Sequence, residues 1–215
     1  MIRKRLTSLS LSIIVSTAVA SADENLHAHG VDVSDVDYGG PATELVFRES
    51  PAYALIPGVE YDDFDLDVEL TAIVDPHAPP ESRKLSRAFV GIAFRVQDDP
   101  QHFKKLYLRL ANGRAENQLQ RNHSTQFESL PDHPWHRLRK ETPALFESYV
   151  DLEEGIWTTV RIEVRRDRAK LFVHGDAQPA LVVSGSLLEP SRGKIGLWVG
   201  LATKGYFRNL QITPR

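Results

Sequence analysis

Between residues 64 and 71 the chain alternates without a break: Phe64, Leu66, Val68 and Leu70 are separated by Asp65, Asp67 and Glu69. A period of two puts the apolar side chains on one face of a β-strand and the carboxylates on the other, whereas a helix needs an apolar stripe at a period near 3.6. Shorter runs of the same kind lie at 44–47, 52–56, 88–96, 105–110, 146–152, 158–165, 169–174, 180–183, 194–199 and 205–212, which brings the expected strands to eleven. Turn formers punctuate them: Pro57-Gly58, 76–80, Asp98-Asp99-Pro100, Asn112-Gly113, Glu154-Gly155, 174–176, 190–193 and Gly200. Short strands at regular spacing with such punctuation predict an all-β sandwich or barrel. No stretch keeps helical periodicity over three turns. Residues 23–42 read as an extended polar lead-in, and 112–144 as one long loop, a length that in compact domains accompanies function or disorder.

The first 22 residues follow a different rule. Arg3, Lys4 and Arg5 precede an uncharged, mostly apolar run from Leu6 to Ala20, and Ala20-Ser21-Ala22 is a small-residue cleavage pattern. A signal peptide cut before Asp23 is expected, and with it export to the periplasm or beyond. Thr7, Ser8, Ser10 and Ser12 interrupt the run, which falls short of the roughly 20 apolar residues a membrane span requires. No later segment is apolar enough to span either. The chain has no cysteine, so the exported domain, 43–215, must be held by its core without disulfides.

Charge changes the picture locally. Losing the three leader cations takes the net charge from −3 to −6, which argues against nucleic acid as a partner of the whole surface. Yet residues 104–140 hold eight Lys/Arg against Glu116, Glu128 and Asp132, a local +5 that leaves −11 for the rest. Arg109, Asn112, Arg114, Gln118, Arg121, Asn122, His123 and Gln126 crowd this segment. Planar amide and guanidinium groups suit sugar hydroxyls, and clustered arginines also grip carboxylate or sulfate in forked pairs, so an acidic or oxidised sugar fits. The same residues would serve equally to tie down the backbone of a thirty-residue loop. Trp135, within His133-Pro134-Trp135-His136, either stacks on a sugar ring, as Tyr149 would, or anchors the loop. Trp157 and Trp198 stand in strand patterns and are expected in the core. The spacing of His123, His133 and His136 matches no standard zinc pattern, so neither a metal nor any cofactor is expected.

The stretch 107–118, the segment Arg121-Asn122-His123-Ser124-Thr125-Gln126, His133-Pro134-Trp135, the segment Glu147-Ser148-Tyr149-Val150-Asp151 and Trp157 together resemble exported bacterial concanavalin A-like lectin/glucanase domains. They are also similar to the 3-keto-disaccharide hydrolase-like and LamG-like families, and the resemblance runs through 88–214. It implies an antiparallel jelly roll of about eleven to twelve strands and contact with carbohydrate, in a superfamily that holds both lectins and hydrolases. A glycan-binding domain is the reading taken. Its rival is a glycoside hydrolase with Glu147 or Asp151 as acid or base and His123 assisting, which would need a second carboxylate facing the first across a groove. A third reading is a structural or partner-binding domain.

Overall fold

The structure, a computed structural model, describes residues 26–215. The signal peptide expected over 1–22 lies outside the described residues. Fourteen strands run in chain order: β1 (His27–His29), β2 (Val31–Asp37), β3 (Pro41–Phe47), β4 (Tyr53–Tyr61), β5 (Phe64–Val74), β6 (Phe89–Val96), β7 (Phe103–Arg109), β8 (Thr125–Leu130), β9 (Glu147–Ser148), β10 (Thr158–Arg165), β11 (Arg168–Val173), β12 (Leu181–Ser184), β13 (Gly193–Val199) and β14 (Thr203–Pro214). Three short helices, α1 (Pro80–Leu85), α2 (Gln118–Arg121) and α3 (Trp135–Glu141), sit in the connections. The strands form two seven-stranded antiparallel sheets: sheet I in the order β1-β4-β13-β6-β7-β8-β9 and sheet II in the order β12-β11-β10-β5-β14-β3-β2. The result is a β-sandwich of jelly-roll type. No helix among the described residues is long and apolar enough to cross a membrane.

The alternation does what period two requires. Phe64, Leu66, Val68 and Leu70 of β5 face inward with Ile162 and Val164 of β10 and meet Ile92, Phe94, Leu106, Leu108, Ile195 and Leu197 of sheet I. Asp65 and Glu69 turn outward, where Arg165 and Arg215 hold the first and Arg208 the second. The eleven expected strands are all present. The other three, β1, β2 and β8, are where sequence and structure differ.

The stretch expected as a lead-in is, over its described residues 26–42, largely strand: β1 pairs with β4 at the edge of sheet I and β2 with β3 at the edge of sheet II. One residue, Gly30, carries the chain between the sheets, at φ +60, and a Cβ there would lie 2.1 Å from the carbonyl oxygen of Glu49 and 2.4 Å from that of Pro51. Only glycine fits both the left-handed backbone and the space. Similarly, 112–144 is not one loop: β8 lies inside it and pairs with β7 across six registered positions. Conversely, the strand expected over 146–152 shrinks to the two residues of β9.

Candidate functional site

Sheet I turns a second, smaller apolar cluster outward, away from sheet II: Tyr53, Leu55, Ala93, Val96, Phe103, Tyr107 and Trp198. Register explains it. One row of paired positions crosses all seven strands as His29, Tyr53, Trp198, Gly91, Tyr107, Gln126 and Glu147. Two residues along, on the same face, a second row runs His27, Leu55, Gly196, Ala93, Lys105 and Glu128. Gly91 leaves the middle of the first row without a side chain, and a methyl there would lie 2.5 Å from the Tyr107 Cα. Across that gap the Tyr107 and Trp198 rings approach to 4.8 Å between centroids.

Over this face lies a groove of about 800 Å³, within the range of small-ligand sites. Its floor is Phe103, Lys105, Tyr107, Arg109, Glu128 and Trp198. The three short helices rim it, each contributing one exposed apolar side chain: Leu85 from α1, Leu119 from α2 and Trp135 from α3.

The floor is charged and buried. Lys105, directly opposite Glu128 in the β7–β8 register, places its Nζ 3.3 Å from the Glu128 Oε1 and 4.0 Å from the Trp198 ring centroid. Tyr107 donates its hydroxyl to the same Oε1 at 2.7 Å and accepts from Arg109 Nη2 at 3.0 Å. Arg109 also donates to Gln126 Oε1 and to the His123 carbonyl, each at 3.0 Å. Burial pushes the Lys105 ammonium below its ordinary pKa, against the pull of Glu128, and pushes the Tyr107 phenol well up.

Behind this wall Glu147 gathers three partners. Arg139 of α3 grips it with Nε at 3.1 Å and Nη2 at 2.7 Å, His123 Nε2 stands 3.1 Å away, and Arg109 Nη1 3.8 Å. Burial lowers the His123 pKa, Arg139 and Arg109 act in the same direction, and Glu147 opposes them. Glu147 therefore fixes the groove's basic wall from beneath rather than lining it.

The sequence-predicted site residues divide into two groups. Arg109, Asn112, His123 and Trp135 line the groove, and Gln126 supports it, spending its amide on the carbonyls of Phe127 and Phe146. Asn112 joins the His123 carbonyl to Gln120. The others form a separate exposed cluster: Arg114 with Asp151 and Glu153, Arg121 with the Tyr149 hydroxyl at 2.8 Å, and Gln118 with Asn122 at 2.8 Å. Of the catalytic candidates, His123 and Glu147 meet, whereas Asp151 stands at the surface with Arg114. Of the two tryptophans expected in the core, Trp198 is buried, in the outer cluster of sheet I, and Trp157 is not. Trp198 floors the groove, and Trp157 is half-buried on the far face of sheet II, with Arg208 4.1 Å above its ring. Lys105, Tyr107, Glu128, Arg139 and Trp198 belong to the site and were not among the expected residues. Among the described residues no group of three or more His, Cys, Asp or Glu is arranged to hold a metal ion.

No family model and no curated protein matches this chain. Solved structures do. The chain is similar to the carbohydrate-binding module CBM66 from Bacillus subtilis, with a TM-score of 0.59, 14% identity, and 87% of this chain and 94% of that one covered. It is similar to a Parabacteroides distasonis protein provisionally described as a glycosyl hydrolase, with a TM-score of 0.55, 15% identity and 89% and 94% covered. The carbohydrate recognition domain of Emp47p follows at a TM-score of 0.51, 10% identity and 91% of each chain. At these identities the likeness is one of fold, and it spans most of each chain.

Proposed function

We propose that this protein is an exported carbohydrate-binding domain and that the groove over sheet I takes an acidic or oxidised glycan. One observation carries the reading: Arg87, Lys105, Arg109 and Arg139 all line the groove, against a single carboxylate, Glu128. Aromatic side chains within the same lining offer faces to sugar C–H groups, and cations in a half-dry cleft favour a carboxylate or sulfate on the ligand. Two of the structures it resembles bear carbohydrate-recognising names, which supports the same reading. Export rests on the leader pattern of residues 1–22.

The carboxylate count supports binding over turnover. Hydrolysis of a glycosidic bond by the usual route uses two carboxyl groups across the bond. The groove lining holds one, and Glu147 is committed to Arg139, Arg109 and His123 behind it. The test is a glycan array of neutral and acidic sugars probed with the protein, with product analysis of each hit. Intact acidic glycans retained on the array are expected; shortened products would replace binding by hydrolysis, and silence on every sugar would turn the assignment toward a protein partner.

A further inference from the structure

Most of the groove's charged groups are partnered by the protein itself, so what a ligand meets is what remains free. Glu128 is the informative one. Its residue is only 3% exposed, and its Oε1 takes both the Tyr107 hydroxyl and the Lys105 ammonium. Its Oε2 has no protein donor among the described residues. Glu128 lines the groove, and this second oxygen is the one left to meet a ligand there.

An ionised carboxylate only accepts hydrogen bonds. The free oxygen of one held rigid on two sides therefore selects a donor, repels an anion, and gains nothing from an apolar group. Sugar hydroxyls are such donors. Lys105 adds the complement: its ammonium is ion-paired with Glu128 at 3.3 Å and confined between the Trp198 and Tyr107 rings at 4.0 and 5.0 Å, and it can still donate to a ligand. A ring that offers two adjacent hydroxyls can donate one to Glu128 Oε2 and accept on the other from Lys105 Nζ. The rigid cross-strand pairing of these two residues fixes the spacing such a diol must match.

We infer that the Lys105–Glu128 pair on the floor of sheet I is a diol-reading subsite, so that the ligand is a glycan with two free vicinal hydroxyls on one ring, its acidic group directed toward the arginines. The inference rests on the groove being a glycan site. It makes Glu128 a specificity-determining residue for hydroxyls and leaves charge to Arg87 and Arg139.

The experiment is titration of the protein, followed by amide NMR, with glucuronic acid, its methyl ester and its 3-O-methyl ether, each as the methyl glycoside, so that O1 is blocked and the ether has no free vicinal pair on its ring. Wild-type protein should show shifts at Lys105, Glu128 and Trp198 with glucuronic acid. Affinity should fall roughly 10- to 100-fold for Glu128→Gln, as expected for a lost hydrogen bond to a charged acceptor, and for the 3-O-methyl sugar on wild type. Because Glu128→Gln leaves the Lys105 charge buried, the double variant Lys105→Met/Glu128→Leu, which removes both charges, is measured beside it and should lose binding while keeping its thermal transition. Equal affinity of glucuronic acid for wild type and a folded variant would overturn the subsite and leave the groove a glycan site. No shift at the groove with any of the three sugars would overturn both.

Discussion

At the scale of single residues, the distinction that matters is between charges that are locked and charges that are merely paired. Glu147 and Arg109 have side chains 4% and 6% exposed, and Glu147 is shared among Arg109, Arg139 and His123. Taking one partner out of such a cluster strands the others in a low-dielectric site, which costs about 3–5 kcal/mol. Glu147→Leu should therefore lower the Tm by roughly 6–20 °C at the usual sensitivity of a chain this long. Asp151, four residues on and equally a carboxylate beside an arginine, is open to water, and Asp151→Ala should leave the transition where it is. Differential scanning calorimetry of the two variants decides between them. A small effect at Glu147 would mean that the three-partner cluster relaxes or hydrates and does not hold the basic wall. From the sequence the two carboxylates look alike, because burial is a property of where β9 ends and not of either residue.

At the scale of elements, strands with a run of alternating apolar residues of ordinary length were legible, and strands whose apolar side is short or broken by polar residues were not. β5 and β10 carry inward residues of an ordinary core and were expected at close to their true bounds. β8 carries one inward apolar residue, Phe127, between Thr125, Gln126 and Glu128, all of them buried. Buried polar positions serve the site and erase the period-two signal at the same time, so the strand that builds the groove reads as loop. The edge strand β2 was missed for a different reason: Asp32, Asp35 and Asp37 face water on a strand with only one neighbour. Charged edges of this kind discourage pairing with other chains. The crossover before it depends on Gly30, and Gly30→Ala would place a methyl against two carbonyl oxygens in a left-handed conformation. A loss of at least about 1–3 kcal/mol is expected, with selective loss of amide protection in β1 and β2. Denaturant titration and hydrogen exchange read both; uniform loss across the two sheets would show instead that the crossover is part of the cooperative core.

For the whole molecule, the same polar positions explain why the sandwich was legible and half of the site was not. The exposed cluster of Arg114, Gln118, Arg121, Asn122 and Tyr149 and the groove residues Arg109, Asn112, His123 and Trp135 sit within one sequence window, and only the path of β8 and α2 sends them to different surfaces. Lys105, Glu128 and Trp198, by contrast, are hidden in strands whose alternation looks structural. The charge balance then makes a prediction of its own. Beyond the leader the chain is net −6, with +5 concentrated in 104–140, so an anionic ligand feels attraction within the groove and repulsion from carboxylates spread over the rest of the molecule. Screening acts on the distant charges first, since the Debye length is about 10 Å at 0.1 M salt and about 3 Å at 1 M. The affinity for an oligosaccharide of uronic acids should change little, or rise, as salt goes from about 0.01 to 0.1 M, and should fall between about 0.1 and 1 M, while a neutral oligosaccharide of the same length shows neither trend. Calorimetric titration across that series measures it. A steep, monotonic fall starting at the lowest salt would place the ligand on the exposed Arg114–Arg121 surface, where no burial shields the contact, and not in the groove.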